Sequence, residues 1–282
     1  MYVTSTKERK RDVLASENII QVKDMNNIRS LVVWMGTCCT LKCRNCCNWI
    51  PYIGNNKYGG QAIVDDLKYI TESVHIGTVQ LQGGEPFLYT DLDVVIKYVA
   101  RNSNIDNIEI ATNGTVVPTD EMCEVIKSIG DKIIVRISEY ECVAESKRLE
   151  LIKKLKNYQI NYSMYNFAFG NGEWFDSGEP NREAVTDKDE VWNTYYKCLN
   201  RHCWTLADHK MVCCGKIIAL MELRHEKEEE NNVIALNDIH KKTVKFSERL
   251  EEFDNHYKGS APIACRWCKS VHGRVPAALQ LD

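Results

Sequence analysis

The feature that most constrains this chain is a strand-then-helix rhythm repeated through its first 165 residues. Residues 30–35 (SLVVWM) predict a short buried strand, 61–74 a helix from the spacing of their apolar positions, and 76–81 (IGTVQL) a second strand. The rhythm continues as helix 91–100, strand 108–111, helix 120–129, strand 133–137, helix 145–156 and strand 160–164. Thr90 with Asp93 suggests a capping box at the start of the second helix. Helical crossovers joining successive strands dictate a mainly parallel sheet covered by helices. Five or six such units are too few to close an eight-fold barrel. The expected fold is therefore α/β, an open partial (β/α)6 barrel.

The rhythm stops after residue 165. Residues 166–190 mix Gly, Asn, Asp and Glu with aromatics, the pattern of a functional loop. From Trp192 the chain reads as a small cysteine-bearing module. Within it, 203–206 and 210–213 predict two strands about a turn at Asp208 and His209, 222–232 a solvated charged stretch, and 239–257 an amphipathic helix. The expected domains are an arm at 1–28, a barrel with its substrate loop at 29–190 and the module at 191–282. The net charge of −3 is spread without a basic stripe, which argues against a nucleic-acid partner. The longest apolar runs are too short to span a bilayer, and the N-terminus lacks the apolar region of a secretory signal. A cytoplasmic protein with no membrane partner is expected.

Thirteen cysteines are many for a reducing compartment, where disulfides are rare. Five lie between 38 and 47, four between 198 and 214, and two at 265 and 268. Cys123 and Cys142 stand alone and read as small core residues. Cys39, Cys43 and Cys46 form C-x3-C-x2-C. Thiolates suit iron–sulfur clusters or zinc, but structural zinc normally takes four protein ligands. Three thiolates leave one iron of a cubane open. Cys38 and Cys47 flank the motif and read as bystanders.

This spacing, directly after a predicted strand, resembles the signature of the radical S-adenosylmethionine (SAM) superfamily. Three further segments follow in the superfamily's order: Gly83-Gly84-Glu85-Pro86 after VQLQ, Ala111-Thr112-Asn113-Gly114-Thr115 after IEI, and Val135-Arg136-Ile137-Ser138. Asn45 stands where many members have an aromatic residue. The resemblance covers about residues 30–165. It implies a 4Fe–4S cluster on Cys39, Cys43 and Cys46 whose open iron binds SAM, and reductive cleavage of SAM to a 5′-deoxyadenosyl radical. It further implies SAM contacts from Leu41, Gly83, Gly84, Glu85, Pro86, Asn113, Arg136 and Ser138, with the Glu85 carboxylate or a backbone carbonyl on the SAM ammonium. A flavodoxin- or ferredoxin-like protein would donate the electron.

The segment CWTLADHKMVCC is similar to the auxiliary-cluster hairpin of the SPASM and twitch families, with His209 where a turn glycine is usual. The resemblance implies a second 4Fe–4S cluster on Cys198, Cys214, Cys265 and Cys268, with Cys203 and Cys213 as alternatives. A zinc site on the same thiols stays open. In size and layout the chain resembles the 2-deoxy-scyllo-inosamine dehydrogenase family of aminoglycoside biosynthesis.

The expected substrate is a polar small molecule, a sugar or cyclitol, free or nucleotide-linked, that is oxidised or epimerised. Thr112, Trp174 and Asp176 are its expected contacts, and Asn181 and Arg182 lie in the same polar loop. A peptide maturase is the alternative. It is disfavoured by the roughly 30 residues before the first motif, too few for a leader-binding domain. A non-catalytic zinc or iron–sulfur module is the alternative from another class.

Overall fold

The computed structural model describes residues 26–166, 172–198, 200–201, 203–224, 232–237, 243–256, 260–269 and 273–281. Strand β1 (Asn27–Trp34) is followed by helix α1 (Gly60–Thr71), then β2 (His75–Gln82), α2 (Leu92–Arg101), β3 (Ile105–Thr112), α3 (Asp120–Ile129), β4 (Ile133–Ser138), α4 (Glu145–Asn157) and β5 (Tyr162–Tyr165). A short strand β6 (Glu173–Phe175) and helix α5 (Lys188–Tyr196) lead to β7 (Trp204–Ala207) and β8 (Lys210–Val212). Helix α6 (Lys216–Arg224), β9 (Ile234–Ala235), α7 (Phe246–His256) and β10 (Arg274–Pro276) complete the order. The arm expected at 1–28 lies outside the described residues up to 25, and β1 already begins at Asn27.

One open sheet runs β5-β4-β3-β2-β1-β7-β8-β9. Its first six members are parallel, β8 pairs antiparallel with β7, and β9 pairs antiparallel with β8. The expected alternation is present, with one correction. The hairpin assigned to a separate module beyond 190 supplies β7, which pairs with β1 through Leu31↔Trp204, Val32↔Thr205 and Val33↔Leu206. The sheet therefore crosses the expected boundary between 190 and 191. The reason is the second edge of β1, whose apolar residues need a partner strand.

Consecutive right-handed crossovers place α1–α4 on one face. That face buries Val79, Leu81, Ile108, Ile110, Val135 and Ile137. The residues between them, Gln80, Gln82, Glu109, Ala111 and Arg136, line the opposite, concave face and remain half-buried.

Two local expectations change. The capping box at Thr90 is not formed; Asp91 is the cap residue, and its carboxylate accepts instead from Gly60 N at 2.5 Å, satisfying a free amide at the start of α1. The last helix begins at Phe246, while residues 239–242 and 257 of the expected span lie outside the described residues. So do 225–231 of the charged stretch, whose first residues belong to α6. The β7–β8 turn forms with Asp208 (φ 47°) and His209 (φ 59°) both left-handed, as a two-residue hairpin requires. His209 Nδ1 lies 3.0 Å from the buried Asp66 of α1, which anchors this strained turn. Among the described residues no helix is long and apolar enough to cross a membrane.

Candidate functional site

The cysteine loop leaves the end of β1 and lies against the end of β2. Gly84 N donates to Gly36 O (3.0 Å) and Glu85 N to Cys38 O (2.8 Å). A Cβ on Gly84 would lie 1.8 Å from Cys38 O, so only glycine permits this approach. The Tyr89 hydroxyl accepts from Cys38 N (2.7 Å) and donates to Cys38 O (3.2 Å), holding the loop from the far side.

Burial pushes the thiols of Cys43 and Cys46 up to about 12, to which Cys46 and Cys39 add at Cys43, and Cys47 and Cys39 at Cys46. Burial also raises Cys39, opposed by the Leu41 amide and by Asn113. Two side-chain amides point at these sulfurs: Asn113 Nδ2 at Cys39 Sγ (3.6 Å) and Gln280 Nε2 at Cys43 Sγ (3.4 Å). Such donors suit thiolates. Among the described residues no three His, Cys, Asp or Glu side chains converge on a point that one metal ion could occupy. A cubane has no need of such convergence, because each thiolate takes a different iron. The donor set of three clustered thiols with amide support thus fits a polynuclear cluster.

Glu85 departs from its expected role. Its side chain is 0 % exposed. Oε1 accepts from the Thr112 hydroxyl (2.8 Å) and Phe87 N (3.3 Å), and Oε2 from Asn113 N (2.9 Å). Burial pushes its pKa up to about 7 despite these three bonds. So enclosed, the carboxylate clamps the ends of β2 and β3 together. Backbone groups of Gly83, Gly84 and the buried Pro86 are what this segment can offer a ligand. Thr112, expected to touch substrate, is 1 % exposed and donates to Glu85 while accepting from Gly114 N (3.0 Å). Asp176 is likewise committed: 9 % exposed, it accepts from Gly178 N (2.9 Å) and pairs with Arg182 (3.0 Å). All three turn toward the protein, and a polar residue at a strand end or in a loop looks the same in sequence whether it faces a ligand or the protein. Asn181 lies exposed next to Arg182 of this pair.

The remaining expected contacts lie around the concave face. Asn113 bridges the TNG turn to the cysteine loop through Thr40 (3.0 Å). Ser138 ends β4, in reach of the Tyr140 hydroxyl. Arg136 donates through Nε to Glu109 (2.7 Å) and lies 4.6 Å over the Tyr165 ring. Gln80 donates to the same Glu109 oxygen at 2.5 Å. Trp174 stands on β6, held by β10, and meets Tyr140 edge-on at 5.4 Å. Tyr140 was not anticipated. Its hydroxyl is held well above the usual range by burial, with the thiols of Cys43, Cys47 and Cys46 nearby. Its place two residues after Ser138 was the only available signal. Gln280 was also missed, and no local pattern marks it.

The second group of thiols comes together where α5, the end of β8, α6 and the 263–267 turn meet. Cys265 feels Cys214, Cys268, Cys213 and Cys198, while Cys203 feels Cys214 and Cys198. Cys213 is turned into the core, which leaves Cys203 as the better substitute for a ligand. Two residues join this group without having been expected. Cys47 faces Cys203, Cys214 and Lys216 while Cys46, its neighbour, belongs to the first group. Lys216 is buried beside Cys214; burial pulls its pKa down, and the thiols of Cys268, Cys214, Cys265 and Cys47 more than offset that. Among the described residues, Trp34 Nε1 and Trp267 Nε1 are buried without a hydrogen-bond partner. Trp34 reaches Gly215, one residue from Cys214, and Trp267 adjoins Cys268. Orphaned N–H donors beside clustered thiols fit a bound group carrying acceptor sulfides.

Comparison with known proteins agrees with this geometry. Residues 35–138 match the model of the Radical SAM superfamily. A protein of Methanococcus maripaludis named "Probable GTP 3′,8-cyclase" is 28% identical over 137 residues, covering 45% of this chain and 44% of that protein. One of the same name from Methanococcus aeolicus is 25% identical over 167 residues, covering 53% and 55%. The chain thus spans about half the length of the curated relatives it matches. Among solved structures, BtrN in complex with AdoMet and 2-DOIA aligns with a TM-score of 0.51 at 12% identity, over 90% of this chain and 97% of that one. That likeness shows a common fold.

Proposed function

We propose that this chain, a radical SAM enzyme by the domain it carries at residues 35–138, oxidises a secondary alcohol of a neutral, polyhydroxylated small molecule such as a cyclitol or sugar. The observation that carries the reading is the second thiol group, built around Cys198, Cys214, Cys265 and Cys268 and joined to the first through adjacent Cys46 and Cys47. A cluster held by Cys39, Cys43 and Cys46 would supply the electron that splits SAM into methionine and a 5′-deoxyadenosyl radical, and one held by Cys198, Cys214, Cys265 and Cys268 would take the electron left once that radical has removed a hydrogen atom from the alcohol carbon and the hydroxyl proton has departed, leaving a ketone.

The protein's own contribution is binding, orientation and charge. Gly83, Gly84 and Asn113 lie beside the cysteine loop, where SAM would bind. Gln80, Glu109 and Arg136 form a polar wall below it. Glu109 has one oxygen held by two donors and, among the described residues, no partner for the second, which is placed to accept from a substrate hydroxyl. Arg136 keeps its terminal amino groups for a ligand oxygen while Glu109 offsets its charge. A wall so balanced suits hydroxyls better than a polyphosphate. Tyr140 and Trp174 supply the apolar side over the cysteines. The electron donor is proposed to be a flavodoxin or ferredoxin.

The test is anaerobic turnover of a panel of cyclitols, aminocyclitols and sugars with SAM and reductant. The expected product has lost two hydrogens in step with 5′-deoxyadenosine, which carries deuterium from a substrate labelled at the oxidised carbon. A product of unchanged mass would replace oxidation by epimerisation. SAM cleavage without any polyol product would remove the substrate class.

A further inference from the structure

Lys216 opens α6 two residues after Cys214 and is 3 % exposed. An ammonium this deep needs an anion, because taking an unpaired charge out of water is strongly unfavourable. Among the described residues no carboxylate pairs with it. Its ammonium donates to the Ser177 carbonyl and lies 5.5 Å from the centre of the Trp49 ring. Both are partial negative charges, too weak to replace water alone. The groups facing it that would carry full negative charge as thiolate ligands are Cys268, Cys214 and Cys265, with Cys47 beside them. Three of these four belong to the proposed ligand set of the second cluster. Trp49, the floor under the ammonium, is itself fixed by its indole donating to Gly178 O at 3.0 Å. Gly178 lies at φ 80° with room for no Cβ, which would fall 1.9 Å from Trp267 O. The ammonium is thus held from three sides at one place.

A fixed positive charge stabilises the reduced, more negative state of a cluster over the oxidised one, and so raises its reduction potential. We propose that Lys216 is the counter-charge of the second cluster and tunes it to accept the substrate electron, which makes it a positioning residue for electron transfer. This rests on the reading of the C-terminal thiols as iron–sulfur ligands. The electron enters the cluster singly, and the lysine neither gains nor loses a proton in the step.

The test compares Lys216→Arg, Lys216→Gln and Lys216→Met in the full chain. Arg and Gln can both donate to Ser177 O, and only Arg keeps the charge. Each change is placed in the parent and in a Cys39, Cys43, Cys46→Ala background, where only the second cluster can give a signal. Iron content and the midpoint potential, from an anaerobic titration followed by electron paramagnetic resonance, are read together. The expected result is a midpoint near the parent's in the Arg variant and a shift to more negative potential in Gln and Met. Loss of iron from Gln and Met with retention in Arg also supports the counter-charge. Iron retained in Gln or Met with an unmoved midpoint overturns the proposal, as does loss of iron from all three variants, which makes the site one of lysine shape alone. No iron in the background lacking Lys216 substitutions defeats the cluster reading itself, and the proposal with it.

Discussion

Gln280 donates its side-chain amide to the Cys43 thiol at 3.4 Å, joining residues 237 apart in sequence. Its carbonyl accepts from Lys42 N at 2.8 Å, and the backbone pairs Arg44 N–Leu279 O and Leu281 N–Lys42 O flank it. One side chain thus holds both the backbone and a ligand of the cysteine loop. Gln280→Ala removes the two side-chain contacts at a cost of about 1–3 kcal/mol. Iron should leave the first cluster faster under a chelator, with the second unchanged. Equal release from both clusters would show that Gln280 is remote from the first.

The two thiol groups predict separable iron. Reconstituted protein should hold about eight irons, and Cys39, Cys43, Cys46→Ala about four, with no 5′-deoxyadenosine formed. Cys265, Cys268→Ala should keep the first cluster, cleave SAM without substrate oxidation and lose solubility, since ligation orders the residues that bring these thiols together. Zinc in place of iron in the first of these variants would make the second site structural.

Glu85 makes stability depend on pH. Its carboxyl stands near 7 when folded, against 4.5 as the ordinary value. The folded state therefore binds more protons than the unfolded state between those values. Stability contributed by Glu85 is present below about 4.5 and declines as pH rises through 7, by about 3 kcal/mol. Glu85→Gln, which can still accept from Asn113 N, should flatten the denaturation midpoint between pH 5 and 8. Parallel pH curves for parent and variant would mean that Glu85 is ionised in the fold.

Arg136→Met should raise the KM for a polyol roughly tenfold through lost hydrogen bonds to a buried ligand. SAM cleavage without substrate should persist. A fall in SAM affinity instead would move Arg136 to the cofactor.

Helix α3 and the ends of β1–β5 were legible because period and breakers agree: Thr119 caps α3 by accepting from Met122 N, and Gly130 ends it at φ 70°. The C-x3-C-x2-C loop was legible because its ligands lie within eight residues of one another. What stayed hidden is long-range. Nothing near Trp204 tells that it pairs with Leu31, nothing near Gln280 points to Cys43, and Cys47 looks like an idle neighbour of Cys46 until the fold sets it against Cys203 and Cys214. The inward turn of Glu85, Thr112 and Asp176 was hidden for a related reason: composition reports that a group is polar, and only packing decides which way it faces.

The pairing of β1 with β7 has a consequence for how the chain is made. On the ribosome, Leu31, Val32 and Val33 emerge early, but their second neighbour follows about 170 residues later. Until then the strand that feeds the cysteine loop is an unpaired apolar edge, open to other nascent chains. A fragment cut near residue 190 would keep that edge exposed permanently and should precipitate. Iron loaded before translation finishes would bind a loop whose supporting strand is still half-paired, so orderly maturation favours metal delivery to the completed polypeptide.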